Sequence, residues 1–236
     1  MLYSGGLTTP FFMWKLIATT AVAVGVGVLP ALSDPIRKNE WYTPHAQGCM
    51  MMRECTEDVH RIYSSGDLRH HFPDSNWDTV SREFDQIMLA FEQIGIEVYL
   101  AEEKYFPVGH RGVYYTVGNN FFLNKRFMHR PHVLMSVTRH EGWHAAQDCM
   151  AGTIDNSMIA IIMDEDKVPQ IWQDIASDTY KNMPKAIPWE KEAFWAGKTE
   201  GMTQAALQAC AAGEMWKVYE PTPLTREWLE KNGYLP

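Results

Sequence analysis

Two histidines four residues apart, with an acid between them, form the densest piece of chemistry in this chain: Arg139-His140-Glu141-Gly142-Trp143-His144. On an α-helix, positions i and i+4 share a face, so the imidazoles of His140 and His144 can turn toward one metal ion. Glu141 sits about 100° round the helix from His140, beside the side of that ion left open for a water molecule. Two neutral imidazoles and a neighbouring carboxylate are what metal-assisted hydrolysis needs, with Glu141 as general base.

A hydrolytic zinc site also needs a third protein ligand and one open position. The best source is Pro188-Trp189-Glu190-Lys191-Glu192-Ala193-Phe194-Trp195-Ala196, where acids open a helix and the small Ala193 and Ala196 allow close approach to the metal helix. The acids of this segment, Glu190 and Glu192, are candidates for that ligand, and Glu200 is a weaker one. A further alternative is Asp155, eleven positions after His144. Tyr180 and His132 are candidates, by residue type alone, for the donor that stabilises a developing oxyanion.

The elements that must position these groups follow from periodicity and breakers. Val133, Leu134, Val137, Trp143 and Ala146 give the motif segment an apolar stripe. Pro131 can open that helix and Gly152 can close it, which predicts about four turns. Apolar residues at helical spacing predict an earlier helix over 46–63, a loop from Gly66 to Pro73, and a second helix opening at Asn76-Trp77-Asp78 and ending at Gly95. Residues 96–100, 112–117 and 121–123 read as strands, the last two joined by the Gly118-Asn119-Asn120 turn. Beyond the motif, 157–163 reads as core and Asp164-Glu165-Asp166 as a solvated turn. Helices are expected over 169–180, as one long element over 189–219, and over 226–232. The fold class is therefore α+β, mainly helical, with a small and largely antiparallel sheet directly before the motif helix.

Composition bounds the setting. With 46% hydrophobic and 21% charged residues, the 236-residue chain suits one domain with a substantial core. A net charge of −8 and the lack of any basic run argue against nucleic-acid partners. Lys15, the apolar run from Leu16 to Leu29, Pro30 and the small residues Ala31 and Ser33 read as an export signal over 1–33. The alternative is a retained N-terminal membrane anchor, the only membrane association expected. Residues 34–236 then form the single mature domain, in the periplasm, a thylakoid lumen or the extracellular space. Four cysteines fit an oxidising compartment, with Cys149–Cys210 the favoured pair. Cys49 and Cys55 cannot share a face if both lie inside one helix, and they can pair if the helix starts after Cys49.

His140-Glu141-x-x-His144 followed by Glu190-x-Glu192-Ala193 resembles the gluzincin branch of the zincin metallopeptidases, in which a Glu on a second helix completes the zinc site. The resemblance implies a zincin-like domain with Zn2+ as cofactor, His140, His144 and Glu190 as ligands, and Glu141 as general base. Phe194 departs from the pattern, since many of these families place there an Asp that orients a ligand histidine. Gly152-Thr153-Ile154-Asp155 resembles the Gly-Thr-x-Asp of aspzincins, whose third ligand is an Asp, but the Tyr-Gly expected after it is absent. The string around the motif is also similar to uncharacterised proteins of marine cyanobacteria and their phages. The implied activity is zinc-dependent hydrolysis of peptide bonds in a peptide or protein substrate. An extended substrate would add to the edge of the sheet, beside Tyr114, Tyr115, Phe121 and Phe122. The rival expectation is a non-catalytic zincin scaffold, an envelope or virion component with a structural or vestigial metal site.

Overall fold

The motif helix, α5 (Pro131–Met150), runs for 20 residues, about 30 Å. Pro131 fits its first turn because the missing N–H is one the helix could not use there. It is longer than the four turns expected, and between Val133 and Met150 only Arg139 and Cys149 are not buried. A helix covered on every side must be the centre of its domain. The computed structural model describes residues 42–219 except 56, 153 and 157; the expected export segment 1–33 and the helix 226–232 lie outside the described residues.

Around α5 the described residues form α1 (Pro44–Met51), β1 (Val59–Ile62), α2 (Ser65–His71), α3 (Ser81–Gln93), β2 (Glu97–Ala101), β3 (Gly112–Tyr115) and β4 (Asn120–Asn124) before it. A short α4 (Lys125–Met128) leads into α5. After it come α6 (Gln170–Thr179), α7 (Ile187–Ala196), α8 (Met202–Ala211) and α9 (Met215–Val218). None of these helices is long and apolar enough to cross a membrane.

The sheet precedes α5 as expected; two of its three pairings are antiparallel, and the third makes it mixed. Its order is β1-β2-β4-β3, and the central β2–β4 pair is parallel, with Val98 opposite Phe121. The hairpin β3–β4 turns at Gly118 and Asn119, the latter at φ 52°, and inserts its second strand beside β2. Alternation then divides the sheet's faces. Ile62, Val98, Leu100, Tyr114, Phe121 and Leu123 join the main core with α3, α5 and α8. Tyr99, Ala101, Val113 and Phe122 join a smaller one with Met50, Tyr105 and Phe106.

Three expected elements change. The helix expected over 46–63 ends at Met51, Arg53 turns left-handed at φ 61°, and residues 59–62 become the edge strand β1. Cys49 lies inside α1 and Cys55 beyond its end, which lets them form a disulfide that one continuous helix would forbid. The expected loop from Gly66 holds α2, whose start is fixed by a capping box between Ser64 and Asp67. The long helix expected over 189–219 is three helices, interrupted at Gly201 (φ 78°) and Gly213 (φ 67°). Glu83 holds the first break, accepting the Gly201 N–H at 2.9 Å while pairing with Arg139 on α5. That break lets α8 pack on α5 and α3, while the segment before it, α7, lies along α5.

Two close approaches set the distances between helices. A Cβ on Gly142 would meet Thr203 Cγ2 at 2.8 Å and Phe91 Cζ at 3.2 Å; one on Gly197 would meet Ser136 O at 3.1 Å and His140 Cβ at 3.2 Å. Glycine inside a helix ordinarily costs about 1 kcal/mol against alanine. At Gly142 the sign reverses: Gly142→Ala should destabilise by about 1–3 kcal/mol through overpacking, read as a lower urea midpoint at unchanged m-value. The expected Cys149–Cys210 disulfide ties the end of α5 to the end of α8 across 61 residues. Closing a loop of that length stabilises by about 4 kcal/mol in the chain-entropy account. Residues 158–163 have no regular structure, but Ala160 and Ile162 are buried as expected.

Candidate metal centre

The i, i+4 spacing on α5 sets the rings of His140 and His144 edge to face, with centroids 5.0 Å apart. Glu190, in the first turn of α7, reaches both: its Oε2 is 3.2 Å from His140 Nε2, and its Oε1 is 3.3 Å from His144 Nε2. One donor atom from each residue lies within 4.8 Å of the others, and all three side chains are buried. This group could hold a metal ion. His140 Nε2, His144 Nε2 and Glu190 Oε2 have no hydrogen-bond partner, although burial normally demands one. Three converging orphan atoms, two imidazole nitrogens and a carboxylate oxygen, fit a borderline divalent cation such as zinc.

The groups are oriented from behind. His144 Nδ1 is 2.8 Å from Gln147 Oε1, and the Gln147 amide donates to Glu192 Oε2 at 2.8 Å and to the Trp189 carbonyl at 3.1 Å. Glu192 also accepts from Trp143 Nε1 at 2.9 Å, Ile162 N at 3.2 Å and Met163 N at 2.6 Å. It is therefore a buried support for the helix and the following segment, and its oxygens face away from the ligand group. The His140 ring bonds to the backbone of Ala193. One histidine is thus held by a main-chain group and the other by an amide. Phe194 packs edge-on against His140, with centroids 5.1 Å apart, and against Tyr180 at 6.2 Å.

Glu141 is 2% exposed and sits beside this group. A Cβ on Gly112 of β3 would meet Val137 Cγ1 at 2.6 Å and touch Glu141 Cγ at 3.4 Å, so the strand lies close against this part of α5. The neighbouring Tyr114 N–H, on the open edge of β3, donates to Glu141 Oε2 at 3.1 Å; Oε1 has no partner. Burial pushes the Glu141 carboxyl up to about 8, with the His144 charge opposing. Burial also works against ionised Glu190, but the adjoining His144 and His140 hold its carboxyl below the ordinary range. His144 is lifted above the ordinary histidine range, Glu190 outweighing its burial, while burial holds His140 below it. Tyr180, just past α6, brings a buried hydroxyl with no partner near Glu190 and Glu141, and burial pushes its phenol up.

The other candidates are elsewhere. Asp155 is exposed on a 3-10 turn (Ile154–Asn156), Glu200 is exposed beyond α7, and His132 is exposed at the start of α5. Tyr114, Phe121 and Phe122 are buried in the two sheet cores instead of lining a groove, and Tyr115 is half-buried. Gln147 is the residue that reading for ligands passes over. Its position three after His144, on the same helical face, was the available signal. Gln147→Met keeps the volume and removes the bond to His144, so it should weaken zinc binding by about 10–100-fold, read by chelator competition. Comparison with protein-family models, with curated proteins and with solved structures returns no match for this chain.

Proposed function

We propose that this chain is an exported, zinc-dependent metallopeptidase acting on a peptide or protein substrate. The observation that carries the reading is the convergence of unpartnered, buried polar atoms: His140 Nε2, His144 Nε2 and Glu190 Oε2, with Glu141 Oε1 and the Tyr180 hydroxyl beside them. His140, His144 and Glu190 would hold zinc, which supplies Lewis-acid polarisation of a carbonyl and acidifies water. Glu141 takes the proton from the attacking water through its free Oε1, while the Tyr114 N–H holds Oε2 in place. The same carboxyl then returns the proton to the leaving amine. Tyr180 can donate its buried hydroxyl to the oxygen on which charge develops. Two disulfides fit an oxidising, exported environment.

A second reading has an observation of its own. Glu190 and His140 are each only 1% exposed, as a structural metal site in a non-catalytic scaffold would be. The two readings separate on one experiment. Zinc content is measured on the purified protein, and digestion of an unstructured protein is compared between wild type and Glu141→Gln. Cleavage by wild type alone supports the peptidase; a zinc ion that Glu190→Ala loses, with cleavage by neither across several substrates, leaves the structural reading. No zinc in either protein rejects both.

A further inference from the structure

Three more histidines meet on the surface, on elements that take no part in the buried centre. His60 lies on the exposed face of the edge strand β1, and His70 and His71 close α2. The rings of His60 and His71 have centroids 5.3 Å apart, and those of His70 and His71 are 5.7 Å apart. With Zn–N bonds near 2.1 Å, two imidazoles at a tetrahedral angle place their centroids roughly 5 Å apart. The buried pair His140 and His144, at 5.0 Å, has the same spacing.

We propose that His60, His70 and His71 form a second, surface site for a borderline divalent transition-metal ion, clipping strand β1 to the end of α2. The side chains of the buried centre already bring their donor atoms within 4.8 Å of one another, and among the described residues no other group does so. The proposed site requires the exposed His60 and His70 rings to turn about their side-chain torsions so that their donors face that of His71. His71 is half-buried against Phe72 and gives the pair a fixed partner. Lys125 is the neighbouring cation whose charge reaches the His71 ring. The Lys125 charge is offset by Glu102, 2.7 Å away. Imidazole donors on an exposed surface suit zinc, nickel or copper and not a hard ion such as calcium.

The test counts ions on the purified full chain, without a histidine tag, by equilibrium dialysis against Zn2+ and against Ni2+. Four proteins are compared: wild type, His60→Gln/His71→Gln, Glu190→Ala, and the three changes together, each checked for unchanged far-ultraviolet circular dichroism. The surface site predicts that His60→Gln/His71→Gln binds one ion fewer than wild type, and that the triple variant binds one fewer than Glu190→Ala. The same numbers with and without the His60/His71 changes would overturn it. Failure of the buried centre gives a different pattern, an ion that Glu190→Ala keeps and His60→Gln/His71→Gln loses. As a second readout, Cu2+ added at one equivalent to Glu190→Ala should give a nitrogen-ligated paramagnetic spectrum that His60→Gln/His71→Gln abolishes; its persistence there would equally overturn the site.

Discussion

Glu190→Ala should lose the buried zinc, binding one ion per chain fewer than the wild type at metal concentrations that saturate the wild type. Removing Glu190 leaves two neutral imidazoles, too few for a tetrahedral site, and takes away the carboxylate that approaches both. Asp155→Ala and Glu200→Ala should keep full occupancy, since both acids are exposed and outside the ligand group. The thermal signature is as large as the stoichiometric one. Zinc at a thousandfold excess over its Kd stabilises the native state by about 4 kcal/mol, roughly 10 °C of melting temperature for a domain of this size. On adding zinc, wild type should gain more than Glu190→Ala by that increment. An ion count and affinities equal to those of the wild type would remove Glu190 from the ligand set.

The same centre fixes the pH dependence of zinc uptake. In the metal-free protein the folded pKa of His144 is raised above its unfolded value near 6.5. Its contribution to stability is therefore fully present below pH 6.5 and is lost as pH rises through the folded value. Zinc needs the neutral ring, so over this window each ion bound displaces a proton from His144. Affinity should rise with pH by up to about tenfold per unit and level off above the folded pKa. The pKa of His140 is already lowered, so it adds no second proton.

What the sequence reveals about this centre depends on whether the signal resides in side-chain type. His140, Glu141, His144 and Glu190 are legible because metal chemistry permits few residue types, and helical spacing says which of them share a face. The main-chain contact of His140 at Ala193 carries no residue signature, so the gap at Phe194 suggests a missing support where the backbone supplies one. Gly142 and Gly197 read locally as weak points in helices, and only the packed structure shows that they admit Thr203 and the main chain of Ser136. The elements at 46–63 and 189–219 follow the same logic. Their apolar residues recur at helical spacing, but tertiary constraints override the period: a disulfide across the end of α1, and the Glu83 carboxylate at Gly201. The parallel pairing of β2 with β4 is a choice between registers that each strand's own alternation leaves open.

Glu141→Gln should leave zinc bound, reduce peptide-bond cleavage by about 10²–10⁴-fold, and make the metal-free protein more stable at alkaline pH. The first two effects follow from the position of Glu141 beside the ligand group without a donor atom in it. The third follows from its burial. The folded pKa of Glu141 is about 8, above the ordinary 4.5, so the folded chain holds this proton more tightly than the unfolded chain does. The stability it contributes is complete below pH 4.5 and disappears as pH rises through about 8, beyond which a buried charge remains. Glutamine keeps the Tyr114 N–H bond and cannot ionise, so its advantage over wild type should widen between those limits by at most about 1.4 kcal/mol per pH unit. Urea denaturation in chelator at pH 5 and at pH 8.5 measures it. Bound zinc favours the ionised carboxylate, so the advantage should shrink when the metal is restored. A buried acid that destabilises the metal-free fold and becomes tolerable beside a cation is what a general base at a hydrolytic centre requires. Equal cleavage by wild type and Glu141→Gln would show that the proton is taken by another group.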